Sequence, residues 1–197
     1  MTVIGITGPT GAGKTTALRQ LEKLGFQVVD CDRIYHDLLR TDEELRGALK
    51  SAFGDVFLAD GGLDRKALAA VVFSDSRQLQ RLDRIVHPAV CAEVEKVLDR
   101  CTGRGVAIDA INLIESGLGE LCDMTIAITA EPSVRMKRIM ARDGITQEQA
   151  QARINAQKPD KFYRKNCTFL LENRAGSMAA FEKLIGEFFE DILLDVE

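Results

Sequence analysis

The sequence predicts an α/β fold in which helices flank a five-stranded parallel sheet. Three observations predict it: a glycine-rich loop stands between an apolar run and a helical pattern, further short apolar runs alternate with helical segments, and the chain closes with an amphipathic helix. Alternation of this kind is typical of parallel sheets, because each crossover needs room for a helix. The five predicted strands are residues 3–6, 26–30, 105–109, 125–129 and 168–172.

The glycine-rich loop, residues 8–15, has the spacing G-x-x-x-x-G-K-[ST] of a P-loop and precedes a helix predicted over 15–24. Its glycines allow the backbone N–H groups to point inward beside the positive end of that helix, which suits a polyphosphate. Lys14 is expected to reach the β- and γ-phosphates, and the Thr15 hydroxyl to bind Mg²⁺. The alternative is a glycine-rich turn that binds no ligand. We disfavour it because the predicted strand, the loop, the lysine, the threonine and the predicted helix follow one another with the spacing of a P-loop. The predicted fold is therefore that of a P-loop NTPase.

Two carboxylates, Asp30 and Asp32, follow the second strand. The carboxyl ends of strands in open α/β sheets face the ligand crevice. Asp32 is a candidate general base, because a hydroxyl that attacks a γ-phosphate must be oriented and must lose its proton. Asp is also a preferred N-cap, and Asp32 precedes a helical pattern. Both interpretations stay open, and one residue could serve both.

Residues 41–103 have a helical texture, interrupted at 59–62 by a turn. This stretch predicts a helical insertion of the kind that holds a phosphate acceptor. His87 precedes Pro88, and the proline predicts that one helix ends or another begins there. On the residues alone, a histidine such as His87 is more often a surface or capping residue than a ligand.

The third predicted strand, residues 105–109, is an apolar run that ends in Asp109. This pattern is typical of a buried parallel strand that presents a carboxylate near the magnesium of a P-loop site. Asp109 could instead serve as a turn or cap residue. Together with the loop at 8–15, the pattern favours a role in positioning the metal or water.

The helix predicted from about residue 132 carries three arginines on one face, Arg135, Arg138 and Arg142. We expect Arg135 to lie on a solvated face. Arg138 and Arg142 lead into a polar segment, 143–165, that could close as a lid, and a lid arginine can neutralise charge on the transferred group.

The last helix, from about residue 177, has apolar residues at the 3,4,3,4 spacing of a core-facing stripe. These residues are Phe181, Leu184, Ile185, Phe188, Phe189 and Ile192. We interpret the stripe as core and not as a partner site.

Composition excludes several classes of protein. The 197 residues carry a formal charge of −4, so there is no overall basic field for nucleic acid. The five cysteines are scattered without a C-x-x-C pair, which favours free thiols in a reducing compartment. No apolar run approaches the roughly 20 residues of a membrane span. We therefore expect a cytoplasmic protein that binds neither nucleic acid nor membrane.

An ordered set of signatures along nearly the whole chain resembles the dephospho-CoA kinase family, a nucleoside-monophosphate-kinase-like group of P-loop proteins. The individual loop is common, but the ordered set is specific. The signatures are residues 8–16, 29–32, 60–65 with Val72-Phe73, His87-Pro88, 113–118, Arg138 with Arg142-Asp143, and 173–176.

The resemblance implies transfer of the γ-phosphate of ATP, with Mg²⁺, to the ribose 3′-hydroxyl of 3′-dephospho-CoA. It implies a nucleotide-binding core (1–32, 104–140 and 165–197), a helical acceptor-binding part (33–103) and a lid (141–164). We expect a monomer or weak oligomer. Asp32 is then the base, with Lys14 and Arg142 as charge stabilisers. The implied ATP-binding residues are Gly11, Ala12, Gly13, Lys14, Thr15, Thr16, Arg138, Asn173 and Arg174. The implied acceptor residues are Asp32, Tyr35, His36, Arg65, Phe73, His87 and Glu115.

The sequence also departs from the family pattern. Ile111-Asn112 stand where Pro-Leu is usual, and Tyr163 and Cys167-Thr168 replace a lysine and an Ala-Asp pair near the lid. The nearest rival function is another small P-loop kinase, acting on a nucleoside monophosphate, a sugar acid or shikimate. A nucleotide switch is a second rival, but its guanine-binding pattern [NT]-K-x-D is approached only by residues 157–160, which follow a helix and not a strand.

Overall fold

The computed structural model describes residues 1–72, 75–174 and 176–194. The chain divides into two compact units. One unit consists of Met1–Val29 and Cys101–Glu197, and the other of Asp30–Arg100.

The first unit is built on a five-stranded sheet in the order β2-β3-β1-β4-β5. The pairs β1–β3, β1–β4 and β4–β5 are parallel. The central strand, β1, is buried from Val3 to Thr7 because helices cover both faces. The prediction of a five-stranded parallel sheet is confirmed. The strands are β1 (Thr2–Thr7), β2 (Phe26–Asp30), β3 (Gly105–Asp109), β4 (Met124–Thr129) and β5 (Phe169–Glu172).

Helix α1 (Lys14–Lys23) follows the loop and packs against the last helix, α9 (Met178–Leu194). Leu21 of α1 and Ile185 and Phe189 of α9 are fully buried in the main core. The predicted stripe on α9 is correct except at Leu184, which is exposed. The buried arc of α9 is centred between positions 185 and 189, and Leu184 lies about 120° from that centre at 100° per residue.

Three helices connect β4 to β5 in the first unit. They are α6 (Pro132–Asp143), α7 (Gln147–Asn155) and α8 (Asp160–Asn166). Pro132 occupies the first turn of α6, where its missing N–H costs nothing. Helix α7 begins with a capping box formed by Thr146 and Gln149. A short 3-10 helix, Leu118–Leu121, precedes β4.

The second unit consists of helices α2 (Cys31–Thr41), α3 (Glu43–Phe53), α4 (Arg65–Val72) and α5 (Ser76–Arg100). An antiparallel bridge between Phe57 and Leu63 encloses the turn predicted at 59–62. Leu49 of α3 and Val94 of α5 are fully buried. The predicted helical texture of this region is confirmed.

Pro88 lies inside α5, so the predicted helix boundary at this residue is wrong. A proline in a helix interior costs about 3 kcal/mol through the lost hydrogen bond and ring clash. The helix continues because α5 packs against α2, α3 and α4, and Val90 and Val94 beyond the proline are buried. Tertiary packing has therefore outweighed the local signal.

No helix in the described part of the chain has the length and hydropathy that a membrane crossing requires.

Candidate phosphoryl-transfer site

The backbone carbonyl groups of the glycine-rich loop accept hydrogen bonds from other groups of the protein. Every carbonyl from Gly8 to Gly13 accepts at least one hydrogen bond from the chain. The donors are Lys14 Nζ to Gly8 (2.7 Å), Ala12 N to Pro9 (3.2 Å), Arg135 Nε to Thr10 (3.0 Å), Arg138 Nη1 to Gly11 (3.1 Å) and Ala12 (3.2 Å), Asn173 Nδ2 to Ala12 (2.9 Å), and Thr16 N to Gly13 (3.0 Å).

This arrangement decides what the loop can bind. Carbonyl oxygens near a bound phosphate would repel it, whereas backbone N–H groups attract it. Because protein donors hold the carbonyls, the loop can offer a phosphate its N–H groups other than those of Thr10 and Ala12, which donate to Gln157 and to the Pro9 carbonyl. The geometry is that of a polyphosphate cradle, as the sequence predicts.

The loop also approaches its neighbours too closely for side chains at two glycines. Gly8 has φ +127°, and a Cβ there would lie 2.1 Å from the Ile128 carbonyl oxygen. Gly13 has φ +119°, and a Cβ there would lie 2.8 Å from Asn173 Nδ2 and 3.0 Å from Phe181 Cε1. Positive φ and missing space both require glycine at these positions.

Arg135 contradicts the prediction of a solvated face, since it is 5% exposed. Besides the Thr10 carbonyl, its guanidinium donates to Gln157 Oε1. Burial lowers the pKa of Arg135, and Asp160 and Tyr163 partly oppose that shift. The helical period predicts that the three arginines of α6 share one face. It does not predict that the phosphate loop and the segment between α7 and α8 cover the end of that face where Arg135 lies.

Arg138 and Asn173 were predicted to bind ATP, and both contact the loop backbone in the structure. Asn173 is 5% exposed, and its Oδ1 is buried without a hydrogen-bond partner in the described part of the chain. Both side chains therefore support the shape of the loop.

Two predicted cationic residues are paired with neighbouring carboxylates. Arg142 is exposed and donates to both oxygens of Asp143, at 2.7 and 3.0 Å. These bonds, together with Arg153, lower the pKa of Asp143 to about 2. Arg174 is exposed and donates to Glu172 Oε2 at 2.6 Å. In each pair the carboxylate offsets the guanidinium charge that would otherwise attract a phosphate.

Thr15 and Asp109 are the two residues predicted to lie near a magnesium ion. Thr15 lies in the first turn of α1, and Asp109 ends β3 opposite Ile6 of β1, two residues before the loop. The described residues contain no group of three or more His, Cys, Asp or Glu side chains able to hold a metal. A hydroxyl and a carboxylate are nevertheless the hard oxygen donors that Mg²⁺ prefers when phosphates and water supply the remaining ligands. The residues fit a magnesium ion that arrives with a nucleotide.

The unusual segment after Asp109 stays attached to β1. Ala110 N donates to the Ile6 carbonyl at 3.2 Å, and Thr7 Oγ1 donates to the Ile111 carbonyl at 3.0 Å. The departure at 111–112 therefore does not detach this backbone from the sheet.

Glu115, predicted to contact the acceptor, lies near α8. Its Oε1 is 3.7 Å from Lys158 Nζ. Tyr163, which replaces the usual lysine, is 2% exposed, and burial followed by the charge of Glu115 raises its pKa to about 12. Tyr163 is thus a neutral core residue.

In the second unit, the residue that caps α2 is Asp30 and not Asp32. Asp30 Oδ1 accepts from Arg33 N at 3.0 Å. The capping interpretation of Asp32 is therefore wrong. Asp32 lies in the first turn of α2 with an exposed side chain, so its carboxylate is not used as a cap.

Three predicted acceptor residues, Tyr35, His36 and Arg65, line one cavity of about 230 Å³ in the second unit. Arg65 Nη2 lies 3.3 Å from His36 Nε2, and the Tyr35 and His36 rings are 5.4 Å apart. Burial raises the pKa of Tyr35, and Arg65 partly opposes this. The remaining walls are apolar and are formed by Leu63, Leu68, Ala69, Val72, Leu79 and Leu82.

Two further predicted acceptor residues lie elsewhere. His87 is on α5, with Nε2 3.6 Å from Asp83 Oδ1, and does not line this cavity. Phe73 lies outside the described residues.

Sequence reasoning also missed Gln157, which contacts the loop at Thr10. A glutamine between two short helices carries no signal from spacing or composition, so only the structure reveals this contact.

Comparison with known proteins gives the family. The dephospho-CoA kinase family model matches residues 2–179. A dephospho-CoA kinase of Geobacter sulfurreducens is 36% identical over 163 residues, covering 81% of this chain and 83% of that protein. The solved dephospho-CoA kinase from Campylobacter jejuni matches with a TM-score of 0.68 and 26% identity over 96% of each chain. A shikimate kinase from Bacteroides thetaiotaomicron matches with a TM-score of 0.60 over 98% of each chain, and its 14% identity supports a shared fold only.

The family match covers most of the chain, and the glycine-rich loop has the geometry of a phosphate cradle. The resemblance seen in the sequence is confirmed: the chain belongs to the dephospho-CoA kinase family, kinases that carry out the ATP-dependent last step of coenzyme A biosynthesis.

Proposed function

We propose that this chain transfers the γ-phosphoryl group of ATP to the ribose 3′-hydroxyl of 3′-dephospho-CoA. The observation that carries the proposal is the glycine-rich loop, in which each carbonyl from Gly8 to Gly13 is held by a protein donor. The identity of the acceptor, 3′-dephospho-CoA, is proposed because the chain belongs to the dephospho-CoA kinase family.

We assign the phosphate-binding work to the first unit. The N–H groups of the loop and of the start of α1 hold the β- and γ-phosphates, and Lys14 moves from the Gly8 carbonyl onto them. Thr15 and Asp109 would hold Mg²⁺, which supplies charge neutralisation on the phosphate oxygens when it is bound. Arg142 would exchange Asp143 for the transferred group.

We assign the acceptor to the second unit. Asp32 orients the 3′-hydroxyl and accepts its proton as the bond to phosphorus forms. The apolar walls of the cavity beside Tyr35, His36 and Arg65 suit an uncharged portion of the acceptor, while the guanidinium suits an anionic portion. His87, Glu115 and Phe73 remain predicted acceptor residues.

The deciding experiment measures ADP release with Mg-ATP and 3′-dephospho-CoA, beside AMP, shikimate, gluconate, uridine and a no-acceptor control. Turnover confined to dephospho-CoA is the expected result. Turnover with another acceptor, or equal use of GTP without transfer, would contradict the proposal. A cytoplasmic location and a monomeric or weakly associating state also remain predictions.

A further inference from the structure

Gln157, in the segment between α7 and α8, contacts the phosphate loop at Thr10. Gln157 Nε2 donates to Thr10 Oγ1 at 2.7 Å, and Thr10 N donates to Gln157 Oε1 at 3.3 Å. The amide and the threonine thus form a two-point contact that fixes their mutual orientation. A contact of this kind specifies geometry more strictly than one hydrogen bond does.

Arg135 closes this contact into a cycle. Its guanidinium donates to the Thr10 carbonyl at 3.0 Å and to the same Gln157 oxygen. All three polar groups of Thr10, the N–H, the carbonyl and the hydroxyl, are therefore engaged by two side chains. Arg135 is 5% exposed, so its guanidinium would carry a desolvation penalty if it lost these partners, whereas Thr10 and Gln157 are half-buried.

The residues that follow Gln157 continue this attachment. Lys158 Nζ lies 3.7 Å from Glu115 and 5.1 Å from the Phe162 ring centroid. Pro159 is the N-cap residue of α8, and Tyr163 in that helix is 2% exposed. Gln157 therefore joins residues 147–166, called here the α7–α8 segment, to the phosphate loop. This segment overlaps the lid predicted over residues 141–164.

We propose that Gln157, acting through Thr10, is a positioning residue for phosphoryl transfer that couples the seating of the α7–α8 segment to the nucleotide-binding form of the loop. In the structure Thr10 bonds to Gln157 and Arg135 while protein donors hold the loop carbonyls, so the seated segment and this form of the loop occur together. By linkage, if the seated segment raises the affinity of the loop for a ligand, that ligand stabilises the seated segment by the same coupling free energy. This inference rests on the proposed function for its kinetic part only.

Three variants and one control test the coupling. Thr10→Val removes the hydroxyl but keeps the branched shape, and Thr10→Ser keeps the hydroxyl. Gln157→Met keeps the length of the side chain but removes both of its polar atoms. The control is Gln151→Met on α7, where the exposed face of the helix holds the bond from Gln151 Nε2 to Asn155 Oδ1.

The kinetic result expected from Thr10→Val and Gln157→Met is a kcat about tenfold lower, since a small misplacement near the reacting groups is costly. The KM for dephospho-CoA should stay within about twofold, because neither residue is assigned to the acceptor. Thr10→Ser, which keeps the hydroxyl, should recover most of the kcat that Thr10→Val loses, and Gln151→Met should retain wild-type kcat. The double variant should be no slower than either single variant, as expected for residues that act as a pair.

A second readout does not depend on turnover. Hydrogen exchange of residues 147–166 should slow when ADP binds the wild type, Thr10→Ser and Gln151→Met, and should not slow when it binds Thr10→Val or Gln157→Met. Equal slowing in all five proteins, or a Thr10→Ser variant as slow as Thr10→Val, would overturn the inference. If the wild type binds ADP but transfers phosphate to no acceptor, the proposed function fails, and the exchange experiment still decides the coupling.

Discussion

Replacing Asn173 by aspartate should destabilise the protein by about 3 kcal/mol. The amide nitrogen is 2.9 Å from the Ala12 carbonyl oxygen, and the residue is 5% exposed. Aspartate places an acceptor where a donor stood, which loses about 1 kcal/mol of hydrogen bonding and leaves a desolvated carboxylate against a carbonyl for about 2 kcal/mol more. At about 2–4 °C per kcal/mol for a chain of this size, Tm should fall by roughly 6–12 °C.

The matched control for this change is Asn166→Asp. Asn166 Nδ2 also donates to a backbone carbonyl, that of Phe162 at 2.7 Å, but the side chain is exposed, so water can replace the bond. Thermal unfolding should show a cost under about 1 kcal/mol at Asn166, including the unfavourable placement of a carboxylate at the end of α8.

Asn173→Ala separates the two contributions at the loop. It removes the donor but also removes the buried Oδ1 that has no partner within the described residues, so the two effects oppose each other and the net cost should be about 1 kcal/mol. The affinity for ADP should nevertheless fall, because the Ala12 carbonyl keeps only its bond from Arg138. If Asn173→Asp and Asn166→Asp shifted Tm equally, the buried amide would not be what holds the loop.

The remaining predictions concern catalysis and pH. Asp32→Asn should lower kcat by about 100-fold or more while ATP binding persists, whereas Asp30→Ala should cost about 1 kcal/mol of stability because it removes the cap of α2. Unaltered turnover in Asp32→Asn would exclude it as the base. Lys14→Ala and Arg142→Ala should each lower kcat more than they weaken acceptor binding in titrations, and an Arg142→Ala enzyme with normal kcat would mean that its pairing with Asp143 is only structural. The Asp143 pKa is lowered from 3.8 to about 2, so its stabilising contribution is present above 3.8 and is lost as pH falls through about 2. The urea midpoint of Asp143→Asn should therefore lie below that of the wild type at neutral pH and converge with it in this acidic window, and a constant gap would contradict the assignment.

The sequence predicted the elements whose signals are local. Strands 26–30 and 105–109 agree with β2 and β3 at both ends, because each is a short apolar run between turn residues. The glycine-rich loop was also predicted correctly, because its G-x-x-x-x-G-K-[ST] spacing is specific. The backbone angles and close contacts at Gly8 and Gly13 require glycine at both positions. The pattern that identifies each of these elements lies within a few residues along the chain, although the atoms that leave no room for side chains at Gly8 and Gly13 belong to Ile128, Asn173 and Phe181.

The sequence did not predict features decided by distant packing. Arg135 bonds to Thr10 across 125 positions, and Gln157 bonds to the same residue across 147. Pro88 was expected to break a helix that three other helices hold together. Periodicity identifies a face of a helix but not what covers it, so a buried arginine and a surface arginine carry the same pattern.

Helix α9 has a consequence for where this protein may be shortened. The match to the family model ends at residue 179, whereas the side chains of Phe181, Ile185 and Phe189, which fill the core beside α1, all come later. The ring of Phe181 also limits the space at Gly13 in the loop. A chain cut at residue 179 would keep every signature motif but would lose the side chains that pack against α1 and beside Gly13. The end of the family-model match therefore does not mark a position at which the chain can be cut and still fold.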